Sequence, residues 1–253
     1  MGKDFKDKDA DMLKIEGRQA VREAFRAGRS IDRLLVQENV FDGPVKAIIR
    51  QAKEAHVVIN YLPKEKMDAT SESGRHQGVI ALAAAADYAS LDDILNRAAE
   101  KGEPPFIILL DSIEDPHNLG ALIRTAEVAG AHGIVITKHH ASGLTSTVMR
   151  TSAGALNYMP ICKVTNLTKA IEELKQKGVW FVCADMDGET MYDLNLTGSM
   201  GVVVGNEGSG VSRLVRESCD YVASVPMFGQ IKSLNASVAG GILMYEIVRQ
   251  RMK

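Results

Sequence analysis

The sequence predicts an α/β protein: a small α/β module, then a larger domain built on a mostly parallel, doubly wound sheet. Three observations carry that expectation. Apolar runs such as Phe106-Ile-Ile-Leu-Leu and Val202-Val-Val alternate with helix-period segments through the second half, the pattern of parallel strands covered on both faces. An alanine run followed by Gly102-Glu-Pro-Pro marks a boundary near residue 103. The length, 253 residues, suits one large domain or two modest ones.

Residues 1–11 alternate Lys and Asp and read as a solvated tail. A helix is expected over 16–27, with Ala20, Val21, Ala24 and Phe25 on one arc. Arg18, Arg22, Arg26 and Arg29 stack in a stripe beside that arc. A strand over 34–36, a helix over 45–55 opened by Pro44, and strands over 57–62 and 79–83 complete a module spanning 12–84. Residues 85–104 read as a linker with a short helix over 91–100. The domain at 105–253 has strands expected at 106–110, 134–137, 159–164, 179–184, 202–205 and 221–225. Its helices are expected at 118–129, 145–156, 167–177, 211–217 and 233–252.

Composition narrows the class. Apolar content of 45% and charged content of 25% are ordinary for a soluble globular protein. A formal charge of −2 argues against a globally basic nucleic-acid binder while leaving room for a local patch. Cys162, Cys183 and Cys219 lack CxxC spacing and read as reduced thiols, and the histidines, including His139-His140, have no ligand spacing, so no metal is expected. No apolar run has membrane length and no secretory segment is present, so the expectation is a cytoplasmic protein.

Three clusters, each after a strand, carry the chemistry. In Asp111-Ser-Ile-Glu-Asp-Pro-His-Asn-Leu-Gly-Ala-Leu-Ile-Arg, Asp115 and Pro116 would open a helix. Arg124 is then either in solvent or, within its apolar run, partly buried and in need of an anion. Gly205-Asn-Glu-Gly-Ser-Gly is neither a dinucleotide fingerprint, because Arg213 stands where the third glycine belongs, nor a P-loop. It is a tight turn or a ligand loop. Glu207 there would repel a phosphate and favours a cationic or hydrogen-bond-donating ligand. In Val225-Pro-Met-Phe-Gly-Gln-Ile-Lys-Ser-Leu-Asn, Ser233 or Asn235 caps the last helix, while Met227 and Leu234 bracket a loop that would suit an adenine slot. Lys138, His139 and Arg150, near the same strand ends, are weaker candidates.

Together and in this order, the clusters resemble the three motifs of the SpoU-type (TrmH-like) RNA ribose 2′-O-methyltransferases of the SPOUT superfamily. Asn118, Gly120 and Arg124 match the first motif, Gly205-Asn-Glu-Gly the second, and Pro226-Met with Ser233-Leu-Asn235 the third. Ile15-Glu-Gly-Arg-Gln-Ala-Val and His76-Gln-Gly-Val-Ile resemble the ribosomal-protein-like substrate-binding domain that precedes it. The nearest likeness is to bacterial enzymes that methylate a 23S rRNA guanosine ribose. The resemblance implies a deep trefoil knot in place of an ordinary doubly wound sheet, a homodimer, and S-adenosylmethionine held near Gly205, Val225, Met227 and Leu234. It implies catalysis by Arg124 with Asn118, Glu207, Ser233 and Asn235 around it. A guanidinium, a donor with no acceptor, is better suited to clamping a phosphate and steadying an alkoxide than to acting as a base. Glu207 would then orient Arg124 or accept the proton. With RNA as the implied substrate, the stripe of Arg18, Arg22, Arg26 and Arg29 is either a solvated face or an RNA contact. A tRNA enzyme and a non-catalytic RNA-binding module are the alternatives. A dinucleotide oxidoreductase fits poorly, since carboxylates occupy the first strand's loop.

Overall fold

The computed structural model describes residues 12–231 and 233–252; the expected tail, 1–11, lies outside them. The chain divides into two units, residues up to 87 with 143–146, and 88–142 with 147 onward.

Unit 1 is a four-stranded mixed sheet in the order β1-β4-β2-β3, with β1 Leu13–Glu16, β2 Ile31–Gln37, β3 Val58–Leu62 and β4 Val79–Ala83. β2 and β3 run parallel, and β4 is antiparallel to both β1 and β2. The helix expected from residue 16 starts later, as α1 Arg18–Arg26. Leu13–Glu16 pairs instead with Ala83–Ile80, because a non-local ladder is available and Gly17, at φ 86°, breaks the chain direction. Helices α1 and α2 (Gly43–Glu54, capped by Asp42) cover one face around Val21, Leu34, Ile48 and Val79. Helix α3, Lys64–Thr70, went unpredicted; it is polar and buries only Met67, against Leu35, Ile80 and Leu82 on the other face.

Unit 2 is a six-stranded sheet in the order β10-β8-β9-β5-β6-β7, parallel at every pairing. Its strands are β5 Phe106–Leu110, β6 Gly133–Thr137, β7 Ile161–Val164, β8 Trp180–Thr190, β9 Met200–Val204 and β10 Tyr221–Ser224. The stretch expected as a linker carries α4, Leu91–Lys101, closed at its start by a Ser90–Asp93 capping box and at its end by left-handed Gly102. Its Ile94 is fully buried in the sheet's core with Leu167, Ile171 and Leu174 of α7 (Leu167–Gln176) and Val215 of α8 (Arg213–Glu217). Helices α5 (Pro116–Val128) and α9 (Ala236–Arg251) pack on each other, and α9 also packs on β9. The helix expected over 145–156 splits into α6, Ser146–Thr151, and a 3₁₀ turn, Ala155–Asn157, with Ala153 and Gly154 at positive φ between them.

The strand order corrects the reading of an ordinary doubly wound sheet. Such a sheet would place β8 beside β5. Here β9 takes that place, with Ile108 opposite both Val202 and Ile134, and β8 lies outside it. β8 is also longer than expected: the adjacent residues Val222 and Ala223 pair with Cys183 and Glu189, so residues 184–188 bulge out of the ladder. Gly188 permits the return, since a Cβ there would lie 2.4 Å from the Val222 carbonyl oxygen.

Candidate active site

The loops after β5 and β9, central neighbours in the sheet, are stitched together by polar contacts. Asp111, buried at the end of β5, accepts the Ser212 amide at 2.7 Å, and Asn206 Nδ2 donates to the Ser112 carbonyl at 2.9 Å. Within the second loop Asn206 and Gly210 exchange backbone hydrogen bonds, while Asn206 Oδ1 accepts the amides of Gly208 and Ser209. The loop folds so tightly that a Cβ on Gly205 would meet Gly210 and Val211 backbone at 2.2 Å.

Glu207, projected from this turn, meets two asparagines from distant helix starts. Asn118 Nδ2 donates to Glu207 Oε2 at 3.3 Å; Asn235 Nδ2 donates to Glu207 Oε1 at 3.3 Å and to Asn118 Oδ1 at 2.9 Å. Asn235 also caps α9, its Oδ1 accepting the Ser237 amide at 2.9 Å. Asn118 lies in the first turn of α5, where capping by Asp115 and Gly120's close fit against Thr151 fix the helix. The three side chains form a closed ring that orients both amides without ambiguity.

Beside the ring lies a cavity of about 250 Å³, lined by Gly205, Glu207, Val225, Met227, Ser233 and Leu234 among others. The expected cofactor residues therefore come together. Sequence reasoning missed Asp185 and Met186, which reach the cavity from the β8 bulge. Arg216 of α8 holds Asp185 at 3.1 Å. The only signal for them was a pair of polar residues after an apolar run, which reads as a strand end. Apolar walls with the two carboxylates of Asp185 and Glu207 suit a ligand that is part flat and apolar, part cationic.

Arg124 does not join the ring. It is exposed and makes no side-chain hydrogen bond or ion pair among the described residues, correcting the expectation of partial burial. The reason is angular: Leu122, Ile123 and Ala126 take the inward side of α5, and Arg124 falls outward beside exposed Val128. Glu207 thus does not orient Arg124 within the chain; its oxygens serve the asparagines. The arginine stripe lies in unit 1. Arg18 pairs with Asp42 at 2.7 Å and Arg26 with Glu23 at 2.9 Å, and Arg29 falls beyond the end of α1, so the helical stripe has three members. Among the described residues no cluster of His, Cys, Asp and Glu could hold a metal, and no helix is long and apolar enough to cross a membrane.

The description "SpoU rRNA Methylase family" matches residues 105–245, and "RNA 2'-O ribose methyltransferase substrate binding" matches 14–89. YacO of Bacillus subtilis, described as a TrmH family tRNA/rRNA methyltransferase, is 46% identical over 94% of this chain and 95% of its own. This chain belongs to the SpoU methylase family. As a member it is an RNA ribose 2′-O-methyltransferase. Among solved structures, the SpoU methyltransferase AviRb from Streptomyces viridochromogenes, in complex with AdoMet, is 25% identical with a TM-score of 0.61, covering 99% of this chain and 95% of AviRb. A TrmH/SpoU tRNA modifying enzyme from A. aeolicus is 29% identical with a TM-score of 0.55, over 59% of this SpoU-family chain and 77% of that one.

Proposed function

We propose that this protein methylates a ribose 2′-OH of ribosomal RNA, a guanosine of 23S rRNA being the target, with S-adenosylmethionine as methyl donor. The observation that carries the reading is the ring of Asn118, Glu207 and Asn235 beside a cavity whose walls are apolar and whose charged groups are carboxylates. Such a cavity fits a nucleoside bearing a sulfonium and an ammonium better than a nucleotide, whose phosphates the carboxylates would repel. Gly205, Val225, Met227 and Leu234 would hold the adenosine, and Asp185, steadied by Arg216, would accept the donor's ribose hydroxyls. When bound, the donor supplies a methyl group on a cationic sulfur.

The chain's own residues then manage the nucleophile. A ribose hydroxyl must be oriented and must lose its proton as it attacks. Glu207 accepts that proton on a carboxylate that Asn118 and Asn235 hold in place, one at each oxygen, and Ser233 orients the ribose. Arg124 clamps the neighbouring phosphate with its guanidinium and steadies the developing alkoxide. Residues 12–84 form the RNA-binding domain and 105–253 the methyltransferase domain, with α4 counted with the latter.

A homodimer belongs to the proposal: Val128 of α5 and Val238 and Tyr245 of α9 are exposed, apolar surface that a second copy would cover. So does a deep trefoil knot. β9 returns between β5 and β8, and Gln250 near the end of α9 hydrogen-bonds Leu194 and Leu196 in the connection leading to β9, contacts expected of a chain end drawn through that connection. With RNA as substrate and no disulfide among Cys162, Cys183 and Cys219, the cytoplasm is the proposed location.

Two measurements test the reading. Calorimetric titration should give binding of S-adenosylmethionine and S-adenosylhomocysteine but not NAD; binding of NAD alone would overturn the donor. Mapping ribose methylation on RNA from cells with and without the protein should find one 23S position that loses its methyl group. Loss confined to tRNA would transfer the substrate to the reading that the A. aeolicus likeness supports.

A further inference from the structure

Unit 1 carries a cleft of its own at one end of its sheet. It opens where parallel β2 and β3 end and antiparallel β4 begins, encloses about 610 Å³, and is bounded by Arg18, Gln37, Val40, Lys64, His76 and Gln77. Its charges are already balanced. Arg18 pairs with Asp42 at 2.7 Å, Lys64 with Asp68 at 3.2 Å, and His76 Nε2 meets the other Asp68 oxygen at 2.8 Å. Because His76 Nδ1 accepts the Gly78 amide at 3.0 Å, the ring proton sits on Nε2 and donates to Asp68. A phosphate would find no uncommitted cation among these residues.

What the cleft offers is hydrogen-bonding edges. Gln77 sits at φ 51°, in the left-handed region that a residue with a side chain rarely adopts, followed by Gly78 at φ 86°. Arg18 holds it there, its amide donating to Gln77 Oε1 and its Nε to the Gln77 carbonyl, each at 3.1 Å. The Gln77 side-chain NH₂ is left without a partner among the described residues. The strain is thus spent holding an amide donor, on an exposed side chain, at the cleft.

Two exposed aromatic rings lie close in sequence to residues of the cleft wall. Phe41 follows Val40 of the cleft wall and Tyr61 precedes Lys64 by three residues; their centroids are 6.0 Å apart and they are 47% and 44% exposed. Two rings left half in water, together with an amide-lined cleft, match the face and the edge of a nucleobase. Cations for the backbone stand near in sequence but outside the cleft's balanced pairs: Arg22, one turn along α1 from Arg18, and exposed Arg75, next to His76, have no acidic partner among the described residues.

We propose that the Phe41–Tyr61 pair and the adjoining cleft bind two consecutive unpaired nucleotides of the RNA substrate. One base stacks on one ring of the pair, the other ring, tilted 49° to it, closing against the base edge, and the next base seats in the cleft with its edge against Gln77. Stacking of this kind needs a free base face, so the substrate presents a loop or single strand here, not a duplex. The inference rests on the RNA-methyltransferase reading and names the form of RNA that unit 1 takes.

The test uses the full chain and fluorescence anisotropy with a labelled unstructured RNA oligonucleotide and a duplex of the same sequence. The single strand should bind more tightly. The double variant Phe41→Leu/Tyr61→Leu, which keeps apolar bulk, should weaken single-strand binding by tenfold or more, leaving the melting temperature, S-adenosylmethionine binding and the salt slope unchanged, since no charge is lost. Phe41→Tyr/Tyr61→Phe should restore it. Equal affinity for duplex and single strand, wild-type affinity in the leucine variant, or preferential binding of a peptide over RNA would each overturn the proposal. A protein that binds the methyl donor but loses no RNA affinity in the leucine variant sinks this inference alone. One that stacks RNA but binds no donor sinks the methyltransferase reading and leaves this one standing.

Discussion

In unit 2 the polar groups of the site are turned toward one another. Glu207 is held by two asparagines, Asn206 by the amides of its own turn, Asp111 by the next loop, and backbone closes on backbone at Gly205. In unit 1 the corresponding region leaves groups turned outward: the Gln77 amide and the Phe41 and Tyr61 rings, with Arg22 on α1. Both sites lie at the ends of parallel strands, and on the proposed reading unit 2 would close around a ligand of fixed shape while unit 1 would stay open to one of variable shape. A small cofactor repeats the same contacts at every turnover, so preorganisation is worth its entropy cost. A polynucleotide arrives in many conformations, and flat surfaces with a few fixed donors tolerate that.

The sharpest way to break the contrast is Arg124→Ala. Turnover should fall about 10²- to 10³-fold, the scale of one lost transition-state charge partner, while calorimetric affinity for the donor stays unchanged, because Arg124 does not line the cavity. A matching loss of donor affinity would mean that donor and phosphate are not held separately. Arg124→Lys separates a two-pronged clamp from a point charge; near-normal turnover would rule out the clamp.

Close packing in unit 2 predicts a smaller, structural effect. A Cβ at residue 120 would lie 1.9 Å from Thr151 Oγ1, so Gly120→Ala should cost about 1–3 kcal/mol in chemical denaturation. Adding Thr151→Ala should recover part of it. An additive loss would place the strain elsewhere on α5.

Acid should separate the two units by window. Burial lowers the pKa of His132, which takes the Phe106 amide on Nδ1 and is fully enclosed. Its folded value lies below the unfolded 6.5, so the unfolded chain binds the extra proton and unit 2 loses stability as pH falls below about 6.5. Glu16 in unit 1 behaves differently. Burial opposes its charge, but hydrogen bonds from Ser71, Ser73 and the amides of 72 and 73 prevail and lower its pKa from 4.5 to about 2. Its contribution is complete above about 4.5 and disappears as pH falls toward 2. Trp180, the chain's one tryptophan, reports unit 2, and circular dichroism reports both, so the two probes should diverge between pH 6 and 4. Glu16→Gln should flatten only the lower window; coincident curves in that variant and in wild type would refute the assignment.

The strands of unit 2 were legible because burial on both faces leaves continuous apolar runs, as in β5. Leu13–Glu16 was not, because four residues of mixed polarity become a strand only when Ala83–Ile80 is there to pair with them. The β8 bulge was hidden by its own chemistry: Asp185, Asp187 and Gly188 read as the end of a strand, yet they carry the chain to the cavity and back. The order of β8 and β9 has no local signature at all. Of the site, Asn118, Glu207 and Asn235 were legible as motif residues, but their ring was not, since no spacing reveals that residues so far apart in sequence share hydrogen bonds. The exposure of Arg124 was not legible, because an apolar neighbourhood in sequence need not be one in space.

The ring also bears on how the chain can vary. Each member supplies what another needs: Asn118 gives Glu207 a donor and Asn235 an acceptor, and Asn235 gives donors to both. Asn118→Asp would set a carboxylate against Glu207, and Glu207→Gln would turn an acceptor into a possible donor facing two donors. Both replacements break bonds on which a second ring member depends, so a change at one position is felt at the others. The three codons, far apart in the gene, are inherited in effect as one character.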